Sequence, residues 1–512
     1  MASNNPKKKL KISPKLSTVK TILTKRGYAI VKKHFNLKEI TEIKNDLTVK
    51  PYVHEEYGAA PDPYPIYLES EKKIYIPKHI GFEKFGEPDK IKLGKGLEID
   101  VEFKGSLRDK QKPIINSFMK SCEEGDLKHK SKGGIISVPC GWGKTIMALY
   151  LIGKLKRKTI IIVHKEFLLN QWIKRIEEFL PEARVGIIQA SKIDYQNKDI
   201  VIGMLQSLSA KEYDVEKVFG DFGFTVVDEC HHIAAEVFSR SLPKVNSYYS
   251  LGLSATPKRP DGLSHVFEAY LGPMVYKVNK RDDKLVRVNV IKYNDSNPQY
   301  NKEELSGYGK LCIPRMINNI VSNFSRNMVI KSILKNLVND GRQTLVLSDR
   351  RDHLKNLFEI VSEFATVGYY VGGMKQKDLD KSEEMQVILG TYPMSSEGLD
   401  IPSLDAVIFT TPKSSIEQSI GRITRKNHEK TPVAYDIVDQ FSLFPRQFDK
   451  RLKVYKKLEY EVYEQSIDIS ESSDQNNVDY QVNNNEIKRV ELKKPRKKKN
   501  QPVVCEIMSD ED

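Results

Sequence analysis

Apolar residues recur along this chain in a rhythm that changes twice. From about residue 134, short β-branched runs alternate with longer amphipathic stretches. The runs are GIISV (134–138), TIIIV (159–163), DIVIG (199–203), FTVVD (224–228) and SLGLS (250–254). The amphipathic stretches include KTIMALYLIGKLK (144–156) and KEFLLNQWIKRIEEFL (165–180). Strands separated by helices of ~10–15 residues predict βαβ units and a parallel sheet. The rhythm resumes with TLVLS (344–348), VGYYV (367–371), MQVILG (385–390), DAVIFT (405–410) and VAYDIV (433–438). Two α/β lobes are expected, at 101–275 and 341–465, joined by a segment at 276–340 that is richer in Asn, Lys and Tyr.

The flanks follow other patterns. Within residues 1–100, KRGYAIVKK and EKKIYIPKHI read as short strands and LKEITEIKNDL as a helix, which predicts a small α+β accessory domain. Residues 466–512 are polar and Asn- and Ser-rich, then strongly basic through KRVELKKPRKKK (488–499), and predict a disordered tail. No internal repeat is evident.

Charge changes the picture. The formal net charge is +15. A balance this basic points to a polyanionic partner, nucleic acid first, although the Lys-rich ends contribute part of it. The patches PKKKLKI (6–12) and KKPRKKK (493–499) fit either nuclear import or nonspecific affinity for nucleic acid. Cys122, Cys140, Cys230, Cys312 and Cys505 are scattered and odd in number, which argues against a disulfide framework and for a reducing intracellular compartment. No apolar run approaches the ~18 residues of a membrane span, and the N-terminus has no apolar core of a secretory signal.

Candidate chemistry begins at ISVPCGWGKT (136–145). A Gly-rich turn between a strand and a helix aims backbone N–H groups and the positive helix end at an anion. Gly141 and Gly143 allow close backbone approach, Lys144 reaches the β- and γ-phosphates, and the Thr145 hydroxyl binds Mg²⁺. The strict phosphate-loop pattern asks for glycine where Val138 stands. Asp228 and Glu229 follow the run FTVV, so they sit at a strand's C-terminal end; there Asp228 can hold Mg²⁺ and Glu229 can polarise a water. In the second lobe, Arg422 and Arg425 are three apart and would share a helix face, suited to the charge that develops on a transferred γ-phosphoryl.

The ordered set PCGWGKT, DECHH, SATPKR, GTYPMSSEGLDIP and QSIGRITR resembles the superfamily 2 helicases and translocases. Within them it is similar to the DEXH group around the transcription and repair helicase XPB, to the phage helicase UvsW, and to the poxvirus-type transcript-release helicases of large DNA viruses. The resemblance covers about residues 100–460. It implies two tandem RecA-like lobes, and a loop that starts at Pro139 and Cys140, with Trp142 inside it, in place of the longer glycine pattern. It further implies that Arg108 and Gln111 read adenine, that His231 links the acidic motif to Gln418, and that Ser254, Ala255 and Thr256 couple hydrolysis to strand movement. Gly398 and Asp400 match the motif that touches the nucleotide and its ribose. His164, Lys165, Gln206 and Ser207 of the first lobe, and Arg350 and Thr391 of the second, fall where the family grips a strand's phosphates and sugars.

The departures count too. XPB-type proteins carry an R-E-D motif in the first lobe, whereas this chain has RPDG (259–262), closer to the UvsW-like pattern. The reading is therefore an ATP- and Mg²⁺-dependent helicase or translocase acting on DNA in preference to RNA, with an expected 3′ to 5′ polarity implied by the resemblance alone. Transcription or repair machinery would be its setting, in a nucleus or, for a viral chain, a virion and cytoplasmic factory. An RNA helicase is the rival enzyme. A non-catalytic nucleotide-gated clamp is the rival of another class, disfavoured because Glu229 and both arginines are present.

Overall fold

The computed structural model describes residues 21–52, 62–123, 132–139, 141–232, 239–255, 259, 261–278, 286–307, 309–397, 399, 401–414, 416–424, 428–469 and 488–490. Both basic patches, Cys140, Thr256, Gly398, Asp400, Arg425, Cys505 and most of the tail lie outside them. The chain divides into two units, Met1–Asn279 and Lys280–Asp512. No helix among the described residues is long and apolar enough to cross a membrane. Cys122, Cys230 and Cys312 are free thiols.

The first unit opens with a five-stranded sheet. Its strands are β1 (Thr21–Thr24), β2 (Gly27–Val31), β3 (Leu68–Glu69), β4 (Lys73–Ile76) and β5 (Lys90–Ile91), in the order β3-β4-β2-β1-β5. Helix α1 (Leu37–Asp46) starts on a capping box in which Asn36 and Glu39 satisfy each other's backbone N–H. Helix α2 (Lys78–Phe85) follows β4. This α+β element does not close a core of its own. Leu23, Tyr28, Ile74 and Phe82 share one buried cluster with Ile135, Ile160, Phe222, Leu242 and Val245 of the lobe that follows.

Two buried lysines stitch the junction. Lys25 Nζ donates to the Phe222 carbonyl at 3.0 Å, and Lys78 Nζ donates to the carbonyls of Ser247 and Tyr248 at 2.9 and 3.2 Å. Burial pulls both ammonium groups down to about 7, against the opposing pull of Glu216 and Asp221 on Lys25.

The lobe itself contains α3 (Lys112–Glu123), β6 (Gly133–Ser137), α4 (Lys144–Leu155), β7 (Thr159–Val163), α5 (Glu166–Phe179), β8 (Val185–Gln189) and β9 (Lys192–Ile193). β10 (Ile200–Met204), α6 (Leu205–Ala210), β11 (Phe224–Val227), β12 (Tyr249–Ser254), α7 (Ser264–Leu271) and β13 (Met274–Lys277) complete it. The sheet order is β9-β8-β10-β7-β11-β12-β6-β13, parallel except for β9. Strands β6, β7, β10 and β11 are buried at every position. That is why they read as unbroken apolar runs, the signature of a sheet covered on both faces. Parallel strands put all their C-terminal ends on one rim, and the motif residues of this unit lie there.

The second unit repeats the plan with β14 (Arg287–Asp295), α8 (Ile313–Ser322), α9 (Phe324–Asn339), β15 (Thr344–Ser348), α10 (Arg351–Ser362), β16 (Val367–Tyr370), α11 (Gln376–Glu383) and β17 (Val387–Thr391). It continues through α12 (Tyr392–Glu397), β18 (Ala406–Phe409), α13 (Glu417–Ile420), β19 (Val433–Asp439), α14 (Phe444–Lys457), β20 (Glu461–Ile469) and β21 (Lys488–Arg489). The order is β16-β17-β15-β18-β19-β14-β20-β21. Two differences from the sequence reading stand out. The stretch 276–340, read as a connection, supplies β14 in the interior of this sheet and two packed helices. The stretch read as tail begins inside the sheet, since β20 runs to Ile469.

Candidate functional site

The rim of the first lobe is built from the strand ends outward. The Val138 N–H donates to the Ser254 carbonyl at 3.2 Å, which fixes the start of the loop to the end of β12. Val138 is buried, so its apolar side chain belongs to the core and a glycine is not needed there. Gly141 and Gly143 have φ of 82° and 77°, left-handed values that favour glycine. Gly143 is the N-cap of α4 and gives no side-chain cap. The first-turn N–H groups of α4 therefore open onto the loop, as an anion requires.

Gln111 clamps that loop from behind. It is buried, accepts from the Arg108 N–H through Oε1 at 2.9 Å, and donates from Nε2 to the Trp142 carbonyl at 2.9 Å. A Cβ on Gly143 would stand 2.5 Å from Gln111 Nε2. Trp142 is half-buried against the lobe's core, with Lys110 Nζ 4.6 Å from its ring centroid. Arg108 is exposed, and Pro139 and Thr145 are half-buried beside the loop.

The acidic pair faces the loop. The Asp228 N–H donates to the Ile162 carbonyl at 3.0 Å, which holds the end of β11 to β7. One oxygen of Asp228 accepts from Trp172 Nε1 at 2.9 Å and the other from the Glu229 N–H at 3.0 Å. Lys144 Nζ lies 2.9 Å from Glu229 Oε1, both side chains being 12–13% exposed. Glu229 Oε2 is buried and lies 3.5 Å from His231 Nδ1, and the Ala255 N–H supports the same carboxylate. Glu229 itself sits at φ 44°, a strained position for a residue with a side chain.

Electrostatics separates the two carboxyls. Burial and then the neighbouring Glu229 carboxylate push Asp228 above the usual carboxylate range. Burial also acts on Glu229, but the Lys144 ammonium, helped by His231, more than offsets it and holds that carboxyl below its ordinary value. Two adjacent carboxylates against one lysine leave an excess negative charge in a buried site. That is the arrangement a divalent cation relieves, and Asp228 offers it a buried carboxyl.

The remaining first-lobe residues extend along the rim. His231 Nδ1 lies 3.0 Å from Ser254 Oγ, the last residue of β12. Arg259 Nη1 donates to the His231 carbonyl, and its guanidinium is gripped by Asp261, Nε to Oδ1 being 2.9 Å. Arg259 and Asp261 thus clasp the backbone of the acidic motif at His231. His164 is buried and its carbonyl accepts from Gln206 Nε2 at 2.7 Å. Lys165 is the N-cap of α5, and Ser207 Oγ accepts from the Ala190 N–H at 2.8 Å.

In the second unit Thr391 ends β17 and is half-buried. Arg350, expected to grip nucleic acid, is tied inside its own unit. Its guanidinium donates to Asn318 Oδ1, the Asp349 carbonyl and the Pro314 carbonyl at 2.6, 3.1 and 2.7 Å. Arg422 likewise departs from the expected helix face. The helix α13 ends at Ile420, and Arg422 is buried in the following turn, donating to the Leu399 carbonyl at 2.6 Å. Gln418 is half-buried within α13. Behind the rim, Arg326 and Asp439 form a fully buried ion pair at 2.7 Å, and Arg326 also donates to the Thr410 carbonyl at 2.8 Å. His353 bridges Ser348 Oγ and Asn327 Oδ1, each at 3.0 Å. Burial, with Arg326, lowers its imidazole to about 3.

Three contributors escaped the sequence reading. Trp172 holds Asp228, Arg259 holds the backbone of His231, and Arg326 organises the second rim. Trp172 carried a signal, since a buried indole N–H needs a partner. The other two did not.

Comparison with known proteins finds helicases. Residues 104–259 match the family model described as type III restriction enzyme, res subunit, and residues 326–427 match the helicase conserved C-terminal domain. Protein L396 of Acanthamoeba polyphaga mimivirus, provisionally named an ATP-dependent RNA helicase, is 37% identical over 469 residues, covering 89% of this chain and 88% of that one. Protein 161L of Invertebrate iridescent virus 6, provisionally named a helicase, is 30% identical over 385 residues, covering 70% and 83%. The crystal structure of T4 UvsW matches at 17% identity and a TM-score of 0.35 over 88% of this chain and 99% of that one.

Proposed function

This chain belongs to the superfamily 2 helicases, and from that premise we propose that it is a motor stepping 3′ to 5′ along a DNA strand. ATP hydrolysis harnessed to work on nucleic acid is the activity of the family. The Lys144–Glu229 pair is the observation that carries the site. A triphosphate at the N-terminus of α4 offers Lys144 a partner of higher charge than one carboxylate. Glu229 is then free to take a proton from the attacking water. Thr145 and Asp228 would hold Mg²⁺, which supplies neutralisation of phosphate charge. Arg425 is the residue we assign to the charge on the transferred phosphoryl.

His164, Lys165, Gln206, Ser207 and Thr391 are the proposed strand contacts, reading phosphate and sugar without sequence preference. The likeness of the motif set to the XPB and UvsW group supports DNA, and transcript release or repair as the setting, in a nucleus or a viral factory. The name of the mimivirus relative favours a second reading, RNA.

One experiment separates them. ATP turnover of the purified chain is measured with single-stranded DNA, duplex DNA and RNA, with Lys144→Ala as control, alongside strand displacement on 3′- and 5′-tailed duplexes. Stimulation by DNA and displacement of the 3′-tailed duplex are expected. Stimulation by RNA alone overturns the DNA reading, and unchanged turnover in Lys144→Ala overturns the site.

A further inference from the structure

Three imidazoles stand in a row on the rim of the first lobe. β7 and β11 are neighbours in the sheet, and their following loops carry His164 on one side and His231 and His232 on the other. The ring centroids of His231 and His232 are 4.2 Å apart with 37° between planes. Those of His232 and His164 are 4.1 Å apart with 31° between planes. These are close ring–ring packings.

Each end of the row is anchored to a different function. His231 touches Ser254 Oγ and Glu229, and Glu229 holds Lys144. The His164 backbone carbonyl, next to its ring, accepts from Gln206 Nε2 of α6, a residue assigned above to the nucleic-acid strand. Arg259 also donates to the backbone carbonyl of His231. His232 contacts both neighbouring rings.

We propose that His232 is a positioning residue that couples the ATP site to the nucleic-acid loops, passing ring displacement from His231 to His164. When Lys144 leaves Glu229 for phosphate, the carboxylate and the His231 ring lose a common restraint, and the stack carries their rearrangement one strand further along the rim. The inference rests on the motor reading above.

The test uses the full chain with His232→Ala and His232→Phe. Turnover is measured with and without single-stranded DNA, together with KM for ATP and affinity for the strand. His232→Ala is expected to keep its unstimulated rate and both affinities while losing about 10-fold of the strand-stimulated rate, an ordinary magnitude for coupling between sites. His232→Phe keeps a ring in the gap and is expected to retain most of the stimulation. Full stimulation in His232→Ala overturns the proposal. So does equal loss in both variants, or a parallel fall of the unstimulated rate, which would mark a defect of the site or fold. If the wild type responds to RNA and not DNA, the same series is read with RNA, and only the DNA reading falls. A wild type stimulated by neither removes the motor reading and this inference together.

Discussion

At the scale of single residues, the ATP site depends on two partnerships of unequal visibility. Trp172→Phe keeps most of the ring's volume but removes the donor to Asp228. Loss of that bond to a buried carboxylate is expected to cost about 1–3 kcal/mol in thermal or denaturant unfolding. It is also expected to lower ATP turnover about 10-fold or more, as loss of a ligand-orienting group does. The Lys144–Glu229 pair has a definite pH signature. Glu229 is held below its ordinary value of 4.5, so the pair stabilises the fold above that pH and the contribution fades as pH falls through the folded value. A double-mutant cycle with Lys144→Ala and Glu229→Gln is expected to show about 1–3 kcal/mol of coupling at pH 7, shrinking in acid. The phosphate loop and the acidic pair were legible because their chemistry is local in sequence. Trp172 was not, because its partner lies 56 residues away and no spacing rule connects them.

At the scale of elements, the buried strands announced themselves and the half-polar one did not. Thr159–Val163 and Thr344–Ser348 are apolar or β-branched at nearly every position and form strands over those same residues. β14 reads RVNVIKYND, and its polar letters suggested a connection. They are inside the fold because the fold satisfies them: Tyr293 donates to Asp295 at 2.8 Å, Asn323 to Asp295 at 2.9 Å, and Tyr300 to Asp439 at 2.8 Å. Composition cannot reveal such a network before its members meet. Arg326 is its only cation among these, so Arg326→Met leaves Asp439 buried and uncompensated. A loss of about 3–5 kcal/mol is expected on unfolding, with most of it recovered in Arg326→Met/Asp439→Leu. A short helix produced the other misreading. Arg422 and Arg425 were placed on one helical face by their spacing, yet α13 stops two residues before Arg422 and its guanidinium turns inward to Leu399.

At the scale of the first unit, its opening sheet and its lobe unfold as one, since their cores are continuous. Lys78 reports on that junction. Burial lowers it to about 7 from the ordinary lysine value of 10.5. Between those values the unfolded chain holds a proton that the folded chain has lost, so stability contributed by this group rises with pH across that window and is flat outside it. The stability difference between wild type and Lys78→Met is therefore expected to move in favour of the wild type from pH 7 towards pH 10, read by denaturant unfolding at each pH.

The shared core also sets an order of assembly during synthesis. The apolar face formed by Leu23, Tyr28 and Ile74 leaves the ribosome long before Phe222, Leu242 and Val245 exist to cover it. Those residues lie about 150 or more positions further on, a delay of roughly 10–30 s at ordinary translation speeds of ~5–20 residues per second. For that interval the growing chain carries a sheet that α2 covers only in part, and a chaperone that shelters the remainder would raise the yield of folded protein.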